Sequence, residues 1–279
     1  MCMEFDSSSL LKEGIELVRP GFTRGSIHSA LFDFDGTLSL IREGWQGIMI
    51  PMMVEILETT PKREAPDVIQ EMVTEFVTRL TGKQTIYQMM QLCEEITLRG
   101  GKPEDPLVYK KIYNDRLNAH IQTRLAALRD GRVDPLDFMV PGAMQWLQIL
   151  KSRGTQCYLA SGTDDHYVQE EANLLGLTPY FSGIHGALDD LTKYSKKMVI
   201  DSILTENQLS GPEFVVFGDG FVEIEDSKAA GGISVGVARS ERTRCGVDEW
   251  KRNRLIAAGA DLIIADFHCA PALEAYLFN

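Results

Sequence analysis

The stretch Leu31–Leu38, with the sequence LFDFDGTL, joins a short apolar run to two acidic side chains and a glycine. Carboxylates are costly inside a strand but common at the carboxyl end of a strand in a parallel sheet, where active sites form. Asp33 and Asp35 share side-chain parity, and a break at Gly36 can turn the second carboxylate toward a different task. The stretch predicts a candidate nucleophile, Asp33, and a candidate proton carrier, Asp35. The alternative is an Asp-Gly turn of structural value alone.

The run Tyr158–Thr163, with the sequence YLASGT, brings a hydroxyl group to the end of a second apolar segment. It predicts a strand followed by a strand-to-helix turn. There the Ser161 hydroxyl and the backbone N–H groups around Gly162 can hold a phosphate. Turns of this composition are also common without a ligand.

A lysine at the start of a helical run gives a third signal. Lys196 occupies a position that is unfavourable for a cation unless an anion lies nearby, because helix N-termini carry partial positive charge. Its placement therefore indicates charge compensation. Lys193 and Lys197 are rivals for this role, and a surface position is the alternative for each of the three.

The run Phe214–Gly220, with the sequence FVVFGDG, again leads an apolar strand into a carboxylate, Asp219, and further acids follow at Glu223, Glu225 and Asp226. Carboxylates collected at one sheet edge repel one another unless a cation such as Mg²⁺ neutralises them. An acidic loop facing water would explain Glu225 and Asp226 equally well. It explains Asp219 less well.

Short apolar, β-rich runs recur along the chain, and from the second onward helical stretches or short connections separate them. These runs are Ala30–Phe34, Cys157–Ala160, Tyr180–Ile184, Phe214–Phe217, Ile233–Val237 and Leu262–Ala265. Their alternation with helices predicts an α/β fold in which helices cover a parallel sheet. The segment Ile15–Pro20 is a candidate for an additional edge strand.

About 120 residues separate the first two of these runs, far more than a crossover connection needs, and they have helical periodicity. The predicted helices are Trp45–Glu58 (interrupted at Pro51), Pro66–Leu80, Thr85–Leu98 and Pro106–Leu128. We therefore expect residues 1–40 and 142–279 to form the core, and residues 41–141 to form an inserted helical domain.

The composition is typical of a water-soluble globular protein, with 279 residues, 44% hydrophobic and 24% charged. The net charge of −12 disfavours nucleic acid as a partner. No apolar run approaches the roughly 20 residues that span a bilayer, and the N-terminus lacks a secretory signal, so we expect a cytoplasmic protein with no membrane partner. Scattered cysteines without metal-type spacing predict free thiols. They are Cys2, Cys93, Cys157, Cys245 and Cys269.

Four motifs follow one another along the chain: DxDGT from Asp33, a serine at Ser161, a lysine at Lys196 and GDGxxE from Gly218. This order is more specific than any one motif. Because of it, the chain resembles a phosphatase of the haloacid dehalogenase (HAD) superfamily. The resemblance covers about residues 29–40 and 140–266 at the level of motifs, whereas the insert is similar only in its position and helical character. It implies a Rossmann-like three-layer α/β core with a parallel sheet, plus an inserted α-helical cap domain.

The resemblance also implies roles for individual residues. Asp33 matches the aspartate that attacks phosphorus and becomes an aspartyl phosphate. Asp35 matches the general acid that protonates the leaving alcohol and then takes a proton from the hydrolytic water. Ser161, Gly162 and Lys196 match the residues that hold the phosphoryl group and offset its charge.

A Mg²⁺ ion is the cofactor that the resemblance implies. Its ligands would be the Asp33 carboxylate, the backbone carbonyl of Asp35 and Asp219, with Glu223 beside them. The family usually has an aspartate where this chain has Glu223. This difference leaves open whether Glu223 reaches the metal only through water or Asp226 takes its place.

The expected activity is Mg²⁺-dependent hydrolysis of the phosphomonoester of a small metabolite. Sugar phosphates are among the candidate substrates. A sugar phosphomutase of the same fold is the main alternative. A phosphonatase with a reactive lysine at position 62, 83 or 102 and a catalytically silent binding protein remain as lesser alternatives. A dehalogenase is disfavoured because the acid at the second position, Asp35, is present.

The substrate itself is the least defined part of this expectation. A cap excludes water and supplies specificity groups, which favours a small phosphorylated metabolite over a phosphorylated protein. Arg42, Glu43 and Trp45 directly follow the first motif, and we predict that they contact the substrate. Packing at the hinge is the alternative role for these three. The sequence leaves the oligomeric state open.

Overall fold

The computed structural model of the chain describes residues 7–190, 192–241 and 243–279. Cys2 lies outside these residues. The other four cysteines, Cys93, Cys157, Cys245 and Cys269, are free thiols, as predicted. Among the helices of the described ranges, none combines the length and the apolar character needed to cross a bilayer.

Seven strands form one sheet, and every strand predicted from the sequence is present with its ends shifted by at most a few residues. The strands are β1 (Ile15–Leu17), β2 (Ser29–Phe32), β3 (Gln156–Asp164), β4 (Phe181–Ala187), β5 (Phe214–Gly218), β6 (Ile233–Val237) and β7 (Leu262–Ile264). Their spatial order is β1-β7-β6-β5-β2-β3-β4. All neighbours are parallel except β1, which pairs antiparallel with β7. The candidate edge strand is thus confirmed, and the fold is the expected Rossmann-like α/β fold.

Eleven α-helices lie in the described residues. They are α1 (Ser7–Lys12), α2 (Gln46–Leu57), α3 (Pro66–Leu80), α4 (Thr85–Leu98), α5 (Pro106–Arg129), α6 (Ala143–Ser152), α7 (Asp165–Leu174), α8 (Lys196–Glu206), α9 (Phe221–Ala229), α10 (Glu249–Ala258) and α11 (Ala270–Leu277). Helices α2 to α5 fall between β2 and β3 in the sequence, as the periodicity predicted.

Strands β2 and β5 form the centre of the sheet, and every residue of both is buried. Strands covered on both faces must be apolar throughout, which explains the continuous runs in the sequence. Phe32 stacks on Phe217 of the neighbouring strand with ring centroids 4.7 Å apart, and Trp146 of α6 packs edge-on against Phe217 at 5.6 Å. This aromatic packing holds the two site-bearing strands in register.

The chain divides into two compact units. The sheet unit comprises the residues up to Ile41 together with Ala127–Asn279, and the helical unit comprises Arg42–Ala126. The second boundary falls inside α5, so residues 127–141 belong to the sheet unit. The domain boundaries at 41 and 141 that we drew from the sequence remain predictions.

Within the helical unit, α2 continues through Pro51, where the sequence predicted an interruption. Proline removes one helical hydrogen bond, but α2 buries Met49, Met52, Met53 and Leu57. Because most helix stability in proteins comes from packing of the apolar face, this burial outweighs the missing bond. Helix α3 begins with Pro66 in its first turn, where the absent N–H costs nothing.

Candidate active site

The carboxyl ends of β2 and β5 lie side by side, and each is followed by an aspartate of a sequence motif. The Asp33 N–H donates to the carbonyl oxygen of Phe217 at 2.9 Å, which extends the pairing of the two strands by one residue. Asp219 follows Gly218, the last residue of β5. The parallel register therefore brings Asp33 and Asp219 to one edge of the sheet.

Of the three lysines that the sequence left as candidates, Lys196 lies at this edge. It is 6% exposed, and its Nζ lies 2.8 Å from Asp33 Oδ1 and 2.8 Å from Glu223 Oε2. Lys193 and Lys197 instead form exposed ion pairs with Asp190 and Asp201 on their own segments. The geometry thus distinguishes three lysines that the sequence left as rivals.

The charged groups at this edge shift one another's pKa values. Burial raises the pKa of Asp33 well above its usual value, Lys196 opposes the rise, and the charges of Glu223 and Asp219 add to it. Burial alone would lower the pKa of Lys196, but Asp33 and Glu223 outweigh burial and raise it, so Lys196 stays an ammonium ion. A fixed positive charge therefore stands beside the candidate nucleophile.

Glu223 is held by the first turn of α9. Its Oε1 accepts the Gly220 N–H at 2.7 Å, while its Oε2 bonds Lys196. A Cβ atom at Gly218 would collide with the Glu223 side chain, so only glycine allows this packing. Both carboxylate oxygens of Glu223 are therefore held by hydrogen bonds.

Asp33, Asp219 and Glu223 form a three-carboxylate cluster in which one oxygen from each lies within 4.8 Å of the others. Such a set of hard oxygen donors fits Mg²⁺ or Ca²⁺ and does not resemble a site for a softer metal. Of the two acids that the sequence left open, Glu223 belongs to the cluster. Asp226 does not, and burial is the main cause of its raised pKa.

Asp35 is held by hydroxyl groups of β3. Its Oδ2 accepts a hydrogen bond from Thr163 Oγ1 at 2.8 Å and a longer one from Ser161 Oγ at 3.4 Å. Asp35 thus points its carboxylate at β3, while the Asp33 carboxylate points at Lys196. The chain turns directly after Asp35 at Gly36, where φ is +79°, and a separate role for the second carboxylate remains a prediction.

The predicted turn at Ser161 and Gly162 is wrong in one respect, because β3 continues to Asp164. The pairing of β3 with β4 is irregular between Ala160 and Asp164, which is the signature of a bulge. Within this segment the Thr163 N–H donates to Ser161 Oγ at 3.1 Å. Residues two apart in a strand share a face, so both hydroxyls can reach Asp35.

Sequence reasoning missed three residues of this site. Thr163 was seen only as part of a turn. Tyr194 donates its hydroxyl hydrogen to the Ser161 carbonyl oxygen at 2.7 Å, a contact across 33 residues. Lys251 Nζ lies 2.8 Å from Asp219 Oδ2, although α10 carries no motif. Thr163 lies at the end of an apolar run whose serine drew the attention, whereas neither Tyr194 nor Lys251 follows such a run.

Arg42, Glu43 and Trp45 belong to the helical unit. Arg42 is buried, and the Glu43 carbonyl oxygen accepts a hydrogen bond from Arg124 at 3.0 Å. Trp45 directly precedes α2. Their assignment as substrate contacts remains a prediction.

Fold and site together define an α/β protein in which carboxylates and lysines are gathered at the carboxyl ends of the central strands. The chain belongs to the haloacid dehalogenase-like hydrolase family, whose model matches residues 27–231. The resemblance drawn from the motifs is thereby confirmed. No curated protein shows significant sequence similarity to the chain.

Solved structures share this fold at low sequence identity. The β-phosphoglucomutase of Clostridium difficile has a TM-score of 0.61 at 15% identity, covering 90% of this chain and 97% of that one. A predicted phosphatase from Clostridium acetobutylicum has a TM-score of 0.60 at 18% identity, covering 89% and 100%. CbbY from Rhodobacter sphaeroides in complex with phosphate has a TM-score of 0.54 at 17% identity, covering 87% and 95%.

Proposed function

We propose that the protein is a Mg²⁺-dependent phosphatase that hydrolyses the phosphomonoester of a small metabolite through an aspartyl phosphate on Asp33. The observation that carries the proposal is the buried ion pair between Asp33 and Lys196, set within the three-carboxylate cluster. Membership of the hydrolase family and the phosphatase and phosphomutase structures of the same fold support it.

In the first step, an Asp33 carboxylate oxygen forms a bond to phosphorus while the bond from phosphorus to the alcohol oxygen breaks. Asp35 gives its proton to the departing alkoxide, because a poor leaving group needs protonation. Lys196 offsets the charge on the phosphoryl oxygens, and Ser161 donates a hydrogen bond to one of them. Covalent catalysis thus divides one difficult displacement into two easier ones.

In the second step, water attacks the phosphorus of the aspartyl phosphate. Asp35, now a carboxylate, takes a proton from the water, and the bond from phosphorus to Asp33 breaks. Asp33 is regenerated and inorganic phosphate leaves. Thr163 holds the Asp35 carboxylate during both transfers.

The cofactor in this proposal is Mg²⁺, held by Asp33, Asp219 and the backbone carbonyl of Asp35, with Glu223 beside them. When bound, the ion neutralises the carboxylates and the phosphate so that two anions can approach each other. We further propose that the helical unit acts as a cap and that Arg42, Glu43 and Trp45 select the substrate. Sugar phosphates are among the candidate substrates.

Assays with a generic aryl phosphate test the activity. We expect steady release of inorganic phosphate with Mg²⁺, its loss in excess chelator, and weak support by Ca²⁺, whose larger coordination sphere misplaces the reactants. Full activity in excess chelator would contradict the metal assignment. A panel of phosphorylated metabolites then identifies the substrate class.

The same panel separates a hydrolase from a phosphomutase. A hydrolase releases alcohol and phosphate in equal amounts. A mutase returns the phosphoryl group to a sugar hydroxyl and depends on a bisphosphate primer. An isomerised monophosphate as the main product would replace the phosphatase proposal by the mutase.

A further inference from the structure

Lys251 is a second buried lysine at the carboxylate cluster. Its Nζ lies 2.8 Å from Asp219 Oδ2 and 2.8 Å from Glu241 Oε1, and its side chain is 12% exposed. Burial alone would lower the pKa of Lys251, but Asp219 and Glu241 outweigh burial and raise it, so the side chain is an ammonium ion. The proposed reaction assigns no role to this charge.

The fold fixes Lys251 in place. It lies in the first turn of α10, where Asp248 caps the helix by accepting the backbone N–H of Lys251 at its Oδ1, at 3.0 Å. A Cβ atom at Gly36 would collide with Asp219 Oδ2, the same oxygen that Lys251 bonds. One oxygen of Asp219 is therefore enclosed between Gly36 and a lysine.

Each of the two lysines forms ion pairs with two of the four carboxylates. Lys196 bridges Asp33 and Glu223, and Lys251 bridges Asp219 and Glu241. With each group in its usual ionised form, four negative and two positive charges leave two negative charges. A single divalent cation balances them, which makes the number of lysines a determinant of metal affinity.

We propose that Lys251 is a positioning residue that limits the affinity of the cluster for its divalent cation by competing for Asp219, and that Glu241 moderates this competition. This inference rests on the metal site of the proposed function. A fixed ammonium ion near a divalent cation repels it, and buried charges are screened little by salt. Glu241 acts in the opposite direction, because its charge attracts the cation and draws on the same ammonium group.

The two neighbours should therefore change metal affinity in opposite directions. Lys251→Met removes the repulsion, and we expect Mg²⁺ to bind about tenfold more tightly or better. Glu241→Gln removes the negative charge that shares the Lys251 ammonium with Asp219, and we expect Mg²⁺ to bind about threefold more weakly. Lys251→Arg keeps the charge and should stay close to the wild type. A purely structural role would instead weaken binding in both charge-removing variants.

The experiment is calorimetric titration of the metal-free, full-length protein with Mg²⁺ alone, without substrate. Lys197→Met is the matched control, because it removes one exposed lysine whose partner is Asp201 and should leave affinity unchanged. Thermal unfolding in chelator verifies that each variant is folded. If Lys251→Met does not fold, Lys251→Gln and Glu241→Gln test the same two directions.

Equal or weaker Mg²⁺ binding by folded Lys251 variants that have lost the charge would overturn the inference while leaving the metal site intact. Absence of Mg²⁺ binding by the wild type would be a different failure. It would remove the metal site of the proposed function and this inference together.

Discussion

Two groups of buried charges lie at opposite ends of the parallel strands, and they differ in how their charges are matched. At the amino end of β7, Asp261 accepts hydrogen bonds from Lys228 Nζ at 3.0 and 2.9 Å and from the Ser234 N–H at 2.9 Å. Lys228 also donates to the Gly232 carbonyl oxygen at 3.1 Å. One cation meets one carboxylate, and backbone groups complete the set.

At the carboxyl ends of β2 and β5 the matching is different. Asp33, Asp219 and Glu223 approach one another so closely that one oxygen of each lies within 4.8 Å of the others. Clustering like charges in a buried place costs stability, and such strain is characteristic of sites that bind or react. The comparison teaches that a buried ion pair with local charge balance indicates structure, whereas an excess of one sign indicates chemistry.

The largest expected difference between the two regions concerns Asp33. Asp33→Asn should lower turnover by more than about a thousandfold, because an amide is too weak a nucleophile to attack phosphorus. The variant should fold, since it removes one of several mutually repelling carboxylates. Phosphate release and circular dichroism measure the two properties. A soluble Asp33→Asn protein that kept several per cent of the activity would contradict the nucleophile assignment.

Lys196 should matter next most. Lys196→Met is expected to lower kcat/KM by about a hundredfold, because it removes the charge that offsets the phosphoryl oxygens. Lys197→Met, one residue away and exposed, is the matched control and should retain full activity. Steady-state kinetics of both variants tests the comparison, and equal losses in the two would refute the role of Lys196.

The ion pair of Asp261 and Lys228 should contribute to stability and not to activity. Asp261→Ala leaves the Lys228 ammonium and the Ser234 N–H without their carboxylate, which should lower the free energy of unfolding by about 2–3 kcal/mol. The activity per folded molecule should not change. Urea denaturation and active-site-normalised kinetics measure these quantities. A loss of kcat at unchanged stability would break the distinction between the two regions.

The smallest effect is expected at Thr163, which acts only through Asp35. Thr163→Val should slow hydrolysis of alkyl phosphates by about tenfold, the effect of losing one hydrogen bond to a charged group. Aryl phosphates with good leaving groups need less protonation, so their phosphoryl transfer to Asp33 should suffer less. Thr163→Ser should restore the activity. Single-turnover rates for both substrate types test this, and equal slowing of both would argue against it.

The sequence predicted the strands and the polar residues that end them, because both follow from local composition. Asp33 and Asp219 directly follow strands and Lys196 begins a helix, as expected, whereas Ser161 lies within β3 and not in the predicted turn; the roles of these residues remain predictions. The sequence could not separate Lys196 from its two neighbours, since the choice depends on which lysine faces β2.

The contacts of Lys251 and Thr163 lay beyond sequence reasoning for a different reason. Lys251 meets Asp219 across 32 residues, and Thr163 meets Asp35 across 128. Such partners are brought together by the order in which the strands pair, which leaves no periodic signal in the sequence. The same limit applies to Pro51, where packing of the rest of α2 decided the outcome.

The most direct test of the central claim is to trap the phosphorylated protein. In Asp35→Asn, transfer from an activated aryl phosphate should outpace hydrolysis, because the second step needs Asp35 to take a proton from water. Mass spectrometry of this variant with Mg²⁺ and the aryl phosphate should show one added phosphate, located on the peptide that contains Asp33. Phosphate on another peptide, or continued turnover with no phosphorylated protein at any time, would contradict the account.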